Sequence, residues 1–284
     1  ETGGTILFAA PGSGKSAIAQ VQAICIANGI TGDLWRAVRQ LPVLYVNLER
    51  PGALVRRRDA LLMAGLGRRG PSGVFYLHAR GSGLDAVLRK VKEFTRTNPQ
   101  GLVIWDSISR AGLGSLVEDT TANAFTDRAN SGSPAWYGIG HTARASDEHL
   151  YGSVHFDAGE DIGVLLRSEQ RGQTLGICLT IQKANEGQHG PATATYYAID
   201  FTENAWTFRK ARRSEFPELG ANVPIKLAEA IDLYIRDHGP SSASDIATET
   251  KFNRSNVSNF LNHSPDYVAE RHGHEVLFRF NLPA

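Results

Sequence analysis

The chain reads as an α/β protein: a mostly parallel sheet flanked by helices, extended by antiparallel strands and followed by a small second domain. Three observations carry this. Short apolar runs alternate with helical patterns from Gly4 to about Phe208, as βα units do. A glycine-rich turn, Ala9-Ala10-Pro11-Gly12-Ser13-Gly14-Lys15-Ser16, sits between an apolar strand and a helix. The last 60 residues change character, to three short helical patterns and a hairpin.

The elements follow from periodicity. Thr5–Phe8, Val43–Asn47, Val74–Leu77, Leu102–Trp105 and Trp136–Gly140 are apolar runs of strand length, and helices are expected at Ser16–Asn28, Ala53–Ala64, Gly83–Thr97 and Thr121–Ala129. Ile162–Leu166, Leu175–Gln182 and Ala194–Ile199 have no helices between them, which predicts antiparallel additions to the sheet. The first domain is therefore placed at residues 1–208. Residues 209–224 open with Arg209-Lys210-Ala211-Arg212-Arg213 and continue through Pro217, Gly220 and Pro224, the composition of a basic linker. Residues 225–284 form the second domain, with helices at Lys226–Asp237, Ser244–Thr250 and Asn253–Asn262 and a hairpin over Tyr267–Glu270 and Val276–Phe280. Three helices and a hairpin spell a winged helix, and Arg254-Ser255-Asn256-Val257-Ser258 resembles the helix-turn-helix core of that family.

Composition narrows the class without naming a partner. The net charge is +1 over 284 residues, which excludes a strongly basic coat for nucleic acid or membrane surfaces. Cys25 and Cys178, the two cysteines, both lie in apolar runs, the pattern of a reducing, cytoplasmic setting. No apolar stretch approaches the roughly 20 residues of a membrane span, and no basic-then-apolar leader precedes the first strand.

The glycine-rich turn is a phosphate-binding loop. Backbone N–H groups of Ala10, Pro11, Gly12, Ser13, Gly14, Lys15, Ser16 and Ala17, proline lacking its own, span a concavity at a helix N-terminus, where partial positive charge suits phosphate. Lys15 reaches the outer phosphates, and the Ser16 hydroxyl reaches Mg²⁺. Ala9 stands where the pattern has its first glycine. Gly101-Leu102-Val103-Ile104-Trp105-Asp106 is an apolar strand ending in an acid, placing Asp106 beside the same Mg²⁺. Leu44-Tyr45-Val46-Asn47-Leu48-Glu49 is a second strand ending in a carboxylate.

With these motifs the chain resembles the RecA-like P-loop ATPases, particularly their RepA-like and KaiC/DnaB-like branches. The resemblance covers about Gly4 to Phe208. It implies ATP and Mg²⁺ as cofactors, hydrolysis, and a homo-oligomeric ring or filament. It makes Glu49 the general base for the attacking water, the alternative being a surface glutamate paired with Arg50. His141, at the end of Trp136–Gly140, becomes a γ-phosphate sensor, or else a structural strand-end histidine. Loops Ser109–Thr120 and Thr142–His155, the second containing Arg144, would face single-stranded DNA or order at a subunit contact. Lys183, expected in a hairpin turn, would reach a neighbouring subunit's nucleotide, while Asn185 stands where the family has arginine. Further DNA contacts are expected from Arg209, Lys210, Arg212, Arg213 and Arg254, although residues 225–284 hold six Lys/Arg against eight Asp/Glu. Two functions remain: a DNA helicase or translocase of replication or a mobile element, and an ATP-switched DNA-binding or adaptor protein that does not unwind.

Overall fold

The structure is a computed structural model. It describes residues 3–30, 39–111, 114–143, 146–152, 154–185, 194–220, 227–273 and 275–281. The chain divides into two compact units, Glu1–Ala221 and Asn222–Ala284.

In the first unit the chain alternates β1 (Gly3–Ala9), α1 (Lys15–Asn28), β2 (Val43–Asn47), α2 (Gly52–Gly65), β3 (Phe75–His78), α3 (Leu84–Thr97), β4 (Leu102–Asp106), α4 (Asp119–Gly132) and β5 (Ala135–Ala143). It continues through β6 (Ser146–Leu150), α5 (Val154–Gly159), β7 (Ile162–Arg171), β8 (Thr174–Ala184), β9 (Ala194–Phe201) and β10 (Trp206–Lys210). Among the described residues these strands make one sheet, ordered β10-β9-β8-β7-β1-β5-β4-β2-β3, with β6 paired to β5. From β3 across to β7 the neighbours are parallel, and from β7 to β10 they are antiparallel. β7 therefore joins β1 in parallel, and the antiparallel extension begins only at β8.

Alternation along β1 builds two cores. Ile6 and Phe8 face a cluster with Val87, Val91, Phe125 and Phe156 from α3, α4 and α5, whereas Leu7 and Ala9 face Ile18, Val21 and Leu62 from α1 and α2. Helix α1 is buried on nearly every side, so it carries no polar face; α3 buries only Leu84, Val87 and Val91, and its other side is charged.

The structure alters three expectations. Residues 142–155, expected as a loop, contain strand β6 and the start of α5. Lys183 lies within β8 and not in a turn. Residues 209–220, expected as a linker, pack on the first unit: β10 runs to Lys210, short 3-10 turns follow at Arg213–Glu215 and Pro217–Gly220, and Phe216 and Leu219 are buried with Cys178 and Tyr196. The reason is a close approach that only glycine permits. A Cβ on Gly176 would stand 2.3 Å from the Phe216 ring, so that ring packs directly against β8 at this glycine.

The second unit holds α6 (Leu227–His238), β11 (Ser241–Ser242), α7 (Ala243–Thr250), α8 (Arg254–His263), β12 (Tyr267–His272) and β13 (Glu275–Phe280), with strand order β11-β13-β12. Ser242 caps α7 by accepting from the Asp245 N–H, and Asn253 caps α8 by accepting from the Ser255 N–H. Ile231, Ile235, Ile246, Val257, Leu261, Tyr267 and Phe278 form its core.

Candidate nucleotide site

The site lies at the carboxyl ends of four parallel strands, where α/β sheets place ligands. In order across the sheet these are β1, β5, β4 and β2. The loop after β1 turns through Gly12 and Gly14, whose φ angles of 81° and 89° belong to the left-handed region. A Cβ on Gly14 would also stand 2.7 Å from the Leu175 Cδ2, so that methyl would have to move. The turn delivers Lys15 as the first residue of α1, and the Ala17 and Ile18 N–H groups close the first helical turn on the Gly14 carbonyl at 2.9 and 3.0 Å.

Lys15 is 5% exposed. Its ammonium donates to the Ala9 and Ala10 carbonyls at 2.9 and 2.8 Å, and the His141 Nδ1 of β5 lies 3.4 Å away. An ammonium has no lone pair, so Nδ1 is the acceptor and the ring proton sits on Nε2. Burial lowers the Lys15 pKa to about 8, against the pull of the Glu49 and Asp106 carboxylates. The His141 pKa is also lowered, first by burial and then by Lys15, which keeps the imidazole neutral and able to accept.

Asp106 ends β4 and is 1% exposed. Its Oδ1 accepts from the Ser16 hydroxyl at 3.1 Å and its Oδ2 from the Tyr45 hydroxyl at 2.6 Å. The Arg58 guanidinium stands 3.9 Å from Oδ2 and donates to the Gln20 side chain. Burial raises the Asp106 pKa, while the Tyr45 bond, Arg58 and the Ser16 bond pull it back down. Ser16 and Asp106 thus present two hard oxygens side by side, the donor set Mg²⁺ takes while keeping most of its water. Among the described residues no group of three His, Cys, Asp or Glu could hold a metal ion.

Glu49 follows β2 on a turn that Asn47 braces. Asn47 is fully buried; its Oδ1 accepts from the Arg50 N–H at 3.0 Å and its Nδ2 donates to the Arg50 carbonyl at 2.7 Å. The Ser107 hydroxyl donates to Glu49 Oε2 at 3.0 Å, and Arg50 lies 3.8 Å from Oε1. The carboxylate is thus paired with Arg50 and tied through Ser107 to the residue that follows Asp106.

The remaining expected residues lie elsewhere. The Lys183 ammonium donates to the Glu160 carbonyl of its own chain at 2.6 Å, and Asn185 bonds Glu160 and Asp161 beside it. Arg209 is engaged by Asp200 and Glu215 at 3.2 and 2.7 Å, and Arg213 is buried, so neither offers the open phosphate contact expected of the basic strip. Lys210, Arg212 and Arg254 are exposed; Arg144 lies outside the described residues. Tyr45, Arg58, Gln20 and Asn47 escaped the sequence reading. Tyr45 and Asn47 did leave a signal, polar groups two residues apart in an apolar strand and hence on one face.

No helix among the described residues is long and apolar enough to cross a membrane. Residues 1–132 match the model of a family described as AAA domain. No curated protein matches the chain. Among solved structures, it is similar to a KaiC-like protein from the hyperthermophilic archaeon Pyrococcus horikoshii, at 16% identity and a TM-score of 0.48, over 73% of this chain and 89% of that one. The family match runs from β1 through α4 and includes Lys15, Ser16, Glu49 and Asp106. Residues 1–132 are thus similar to an AAA domain, and they lie within the α/β unit whose phosphate loop is described above.

Proposed function

We propose that the protein binds ATP with Mg²⁺ and hydrolyses it, as an oligomeric RecA/RepA-like motor acting on DNA in replication or a mobile element. One observation supports this above the rest: Lys15 meets His141, Ser16 meets Asp106 and Ser107 meets Glu49, so four strands converge on one phosphate loop. In this reading Lys15 and the backbone N–H groups of Gly12 to Ala17 hold the phosphates. Ser16 and Asp106 hold the ion, which when bound neutralises charge on the phosphate oxygens. Glu49 orients and deprotonates the attacking water, and Asn47 and Ser107 fix its carboxylate. His141, hydrogen-bonded to Lys15, registers the loss of the γ-phosphate, since any shift of the ammonium breaks their contact. Lys183 reaches a neighbour's nucleotide only after leaving the Glu160 carbonyl. The second unit is a winged helix, with Arg254 at its nucleic-acid face and Lys210 and Arg212 as further phosphate contacts.

The test is Glu49→Gln. ATP binding should persist while turnover falls by at least 100-fold, about what a positioned general base contributes. Unchanged turnover in a variant that still binds ATP removes Glu49 from the role. A native-mass measurement with and without ATP and single-stranded DNA reports assembly and partner together.

A second reading, an ATP-switched adaptor that assembles without unwinding, is favoured by the charge. Arg209 is engaged by acids of its own unit, and residues 225–284 carry more acidic than basic groups. DNA-stimulated turnover with strand displacement favours the motor; ATP-dependent assembly without either favours the adaptor.

A further inference from the structure

We propose that a single strand of DNA runs along the outer edge of the sheet, over β3 and α3, where Arg89, Lys92 and Arg96 meet its phosphates and Phe75 stacks on a base. The proposal rests on the DNA partner proposed above and is independent of ATP binding. It gives that partner a surface in place of the weaker ones: Arg209 is engaged by Asp200 and Glu215, and residues 225–284 hold more acids than bases.

The charge of the chain is unevenly placed. Between Arg39 and Thr97 stand twelve Lys/Arg against four Asp/Glu, whereas the whole chain carries +1, so the rest of it is net acidic. A local excess of this size attracts a polyanion that the overall charge does not. The four acids are also already engaged. Glu49 accepts from Ser107 and meets Arg50, Asp59 accepts from the Tyr76 hydroxyl, Asp85 meets Arg128 of α4 at 3.4 Å, and Glu93 meets Lys90 at 3.2 Å. Arg89, Lys92 and Arg96 are left exposed, with no ion-pair partner among the described residues.

Helical geometry lines these three up. At spacings of three and four residues they share the side of α3 turned away from Leu84, Val87 and Val91, which are buried. At 1.5 Å per residue they span about 10 Å. That is roughly three steps of a stacked strand at 3.4 Å each. β3 ends the sheet, and among the described residues it pairs with β2 alone. Its Phe75 is 55% exposed, and the ring rests on Phe94 of α3 with 5.6 Å between centroids. The helix that carries the row of cations therefore also props an open aromatic ring. Single strands are bound by this combination, their bases stacking on the ring while their phosphates track the charge.

The full chain is titrated with a labelled oligothymidylate over a range of salt, read by fluorescence anisotropy. Replacing the three cations together, Arg89→Gln, Lys92→Gln and Arg96→Gln, should lower the slope of log affinity against log salt by about 2, at roughly 0.7 per phosphate contact, and weaken binding on the order of 100-fold at about 0.1 M salt. Phe75→Ala should weaken binding about tenfold, within the range for one stacked base, and leave the slope unchanged. Arg89→Lys with Arg96→Lys keeps the charge and should keep the slope, which separates lost contacts from a folding defect in the triple variant. An unchanged slope in the triple variant, an unchanged affinity in Phe75→Ala, or tighter binding of a duplex would overturn the proposal. So would a triple variant that alters only self-association in native mass, since the face would then meet a second copy. If wild type binds the strand but Arg254→Gln carries the loss instead, this surface falls and the DNA reading stands; if wild type binds no DNA, both fall.

Discussion

Replacing Lys15 with methionine should make the ligand-free protein more stable. The ammonium is 5% exposed, and its pKa falls from 10.5 to about 8 on folding. A base whose folded pKa is depressed contributes its stability above the unfolded value and loses it as pH falls through the folded one. At pH 7 both transitions have been passed, and holding the charge costs about 3 kcal/mol, at 1.36 kcal/mol per pH unit. Methionine removes that charge and keeps most of the volume. It also strands the Ala9 and Ala10 carbonyls that accept from Lys15, at roughly 1 kcal/mol each. The net gain is about 1–2 kcal/mol, or roughly 2–8 °C in a unit of this size. Differential scanning fluorimetry of Lys15→Met and wild type at pH 7 measures it, with ATP and Mg²⁺ added in parallel: wild type should gain stability from the ligand and the variant should not. The advantage should shrink between pH 8 and 10.5, as wild-type Lys15 releases its proton. A variant that melts below wild type at pH 7, or an advantage that persists undiminished to pH 10.5, refutes the reasoning.

Tyr45→Phe deletes the 2.6 Å bond to Asp106 Oδ2 and lets burial raise the carboxyl pKa further; the Mg²⁺ concentration for half-maximal nucleotide binding at pH 7 should rise about tenfold or more, read by titration. Asn47→Ala should reduce turnover with little change in the KM for ATP, because it loosens the Glu49 turn without touching the loop, and Asn47→Asp, which still accepts from the Arg50 N–H, should recover part of the rate. Phe216→Ala should cost about 3–5 kcal/mol in urea unfolding, since the ring covers Gly176 within a buried cluster; a loss below about 1 kcal/mol would mean residues 209–220 are a linker after all.

The legible parts of the chain were those where one local rule acted alone. The strand-to-helix turn at Ala9–Ser16 announces itself because left-handed glycines, a lysine and a hydroxyl must be consecutive to wrap a phosphate. The apolar strands of the parallel sheet were equally plain, since strands buried on both faces read as continuous runs. Residues 209–220 misled because their Arg, Pro and Gly content is what a linker has, while the deciding contact is the Phe216 ring on Gly176, 40 positions away. Strand β6 was invisible for a related reason: Ser146-Asp147-Glu148-His149 has neither alternation nor β-branched residues, and its pairing is supplied by β5. Arg209 was misread on the same ground, because a count of arginines says nothing of the Asp200 and Glu215 carboxylates that meet it.

The neighbours of Asp106 explain why a site on four strands behaves as one. Its carboxylate is buried against its own preference for water, and three groups offset that: the Tyr45 hydroxyl on β2, the Arg58 guanidinium on α2 and the Ser16 hydroxyl on α1. Arg58 in turn donates to Gln20, whose amide donates to the Val55 carbonyl and the Tyr76 hydroxyl, so α1, α2 and β3 are fastened to the same acid. With a cation held by Ser16 and Asp106, the carboxylate would need less of the compensation that Arg58 provides at 3.9 Å, and Arg58 would be less firmly held. Arg58 lies within α2, and Glu49 lies in the turn that leads from β2 into that helix, so under the proposed role of Glu49 a shift of α2 would couple metal occupancy to the placement of its carboxylate. Arg58→Met therefore separates two accounts of the site. If Arg58 only balances charge, the variant binds Mg²⁺ more tightly, since the competing cation is gone, and turns over normally; if it also holds the turn, tighter binding comes with slower turnover, and a single Mg²⁺ titration of rate and affinity distinguishes them.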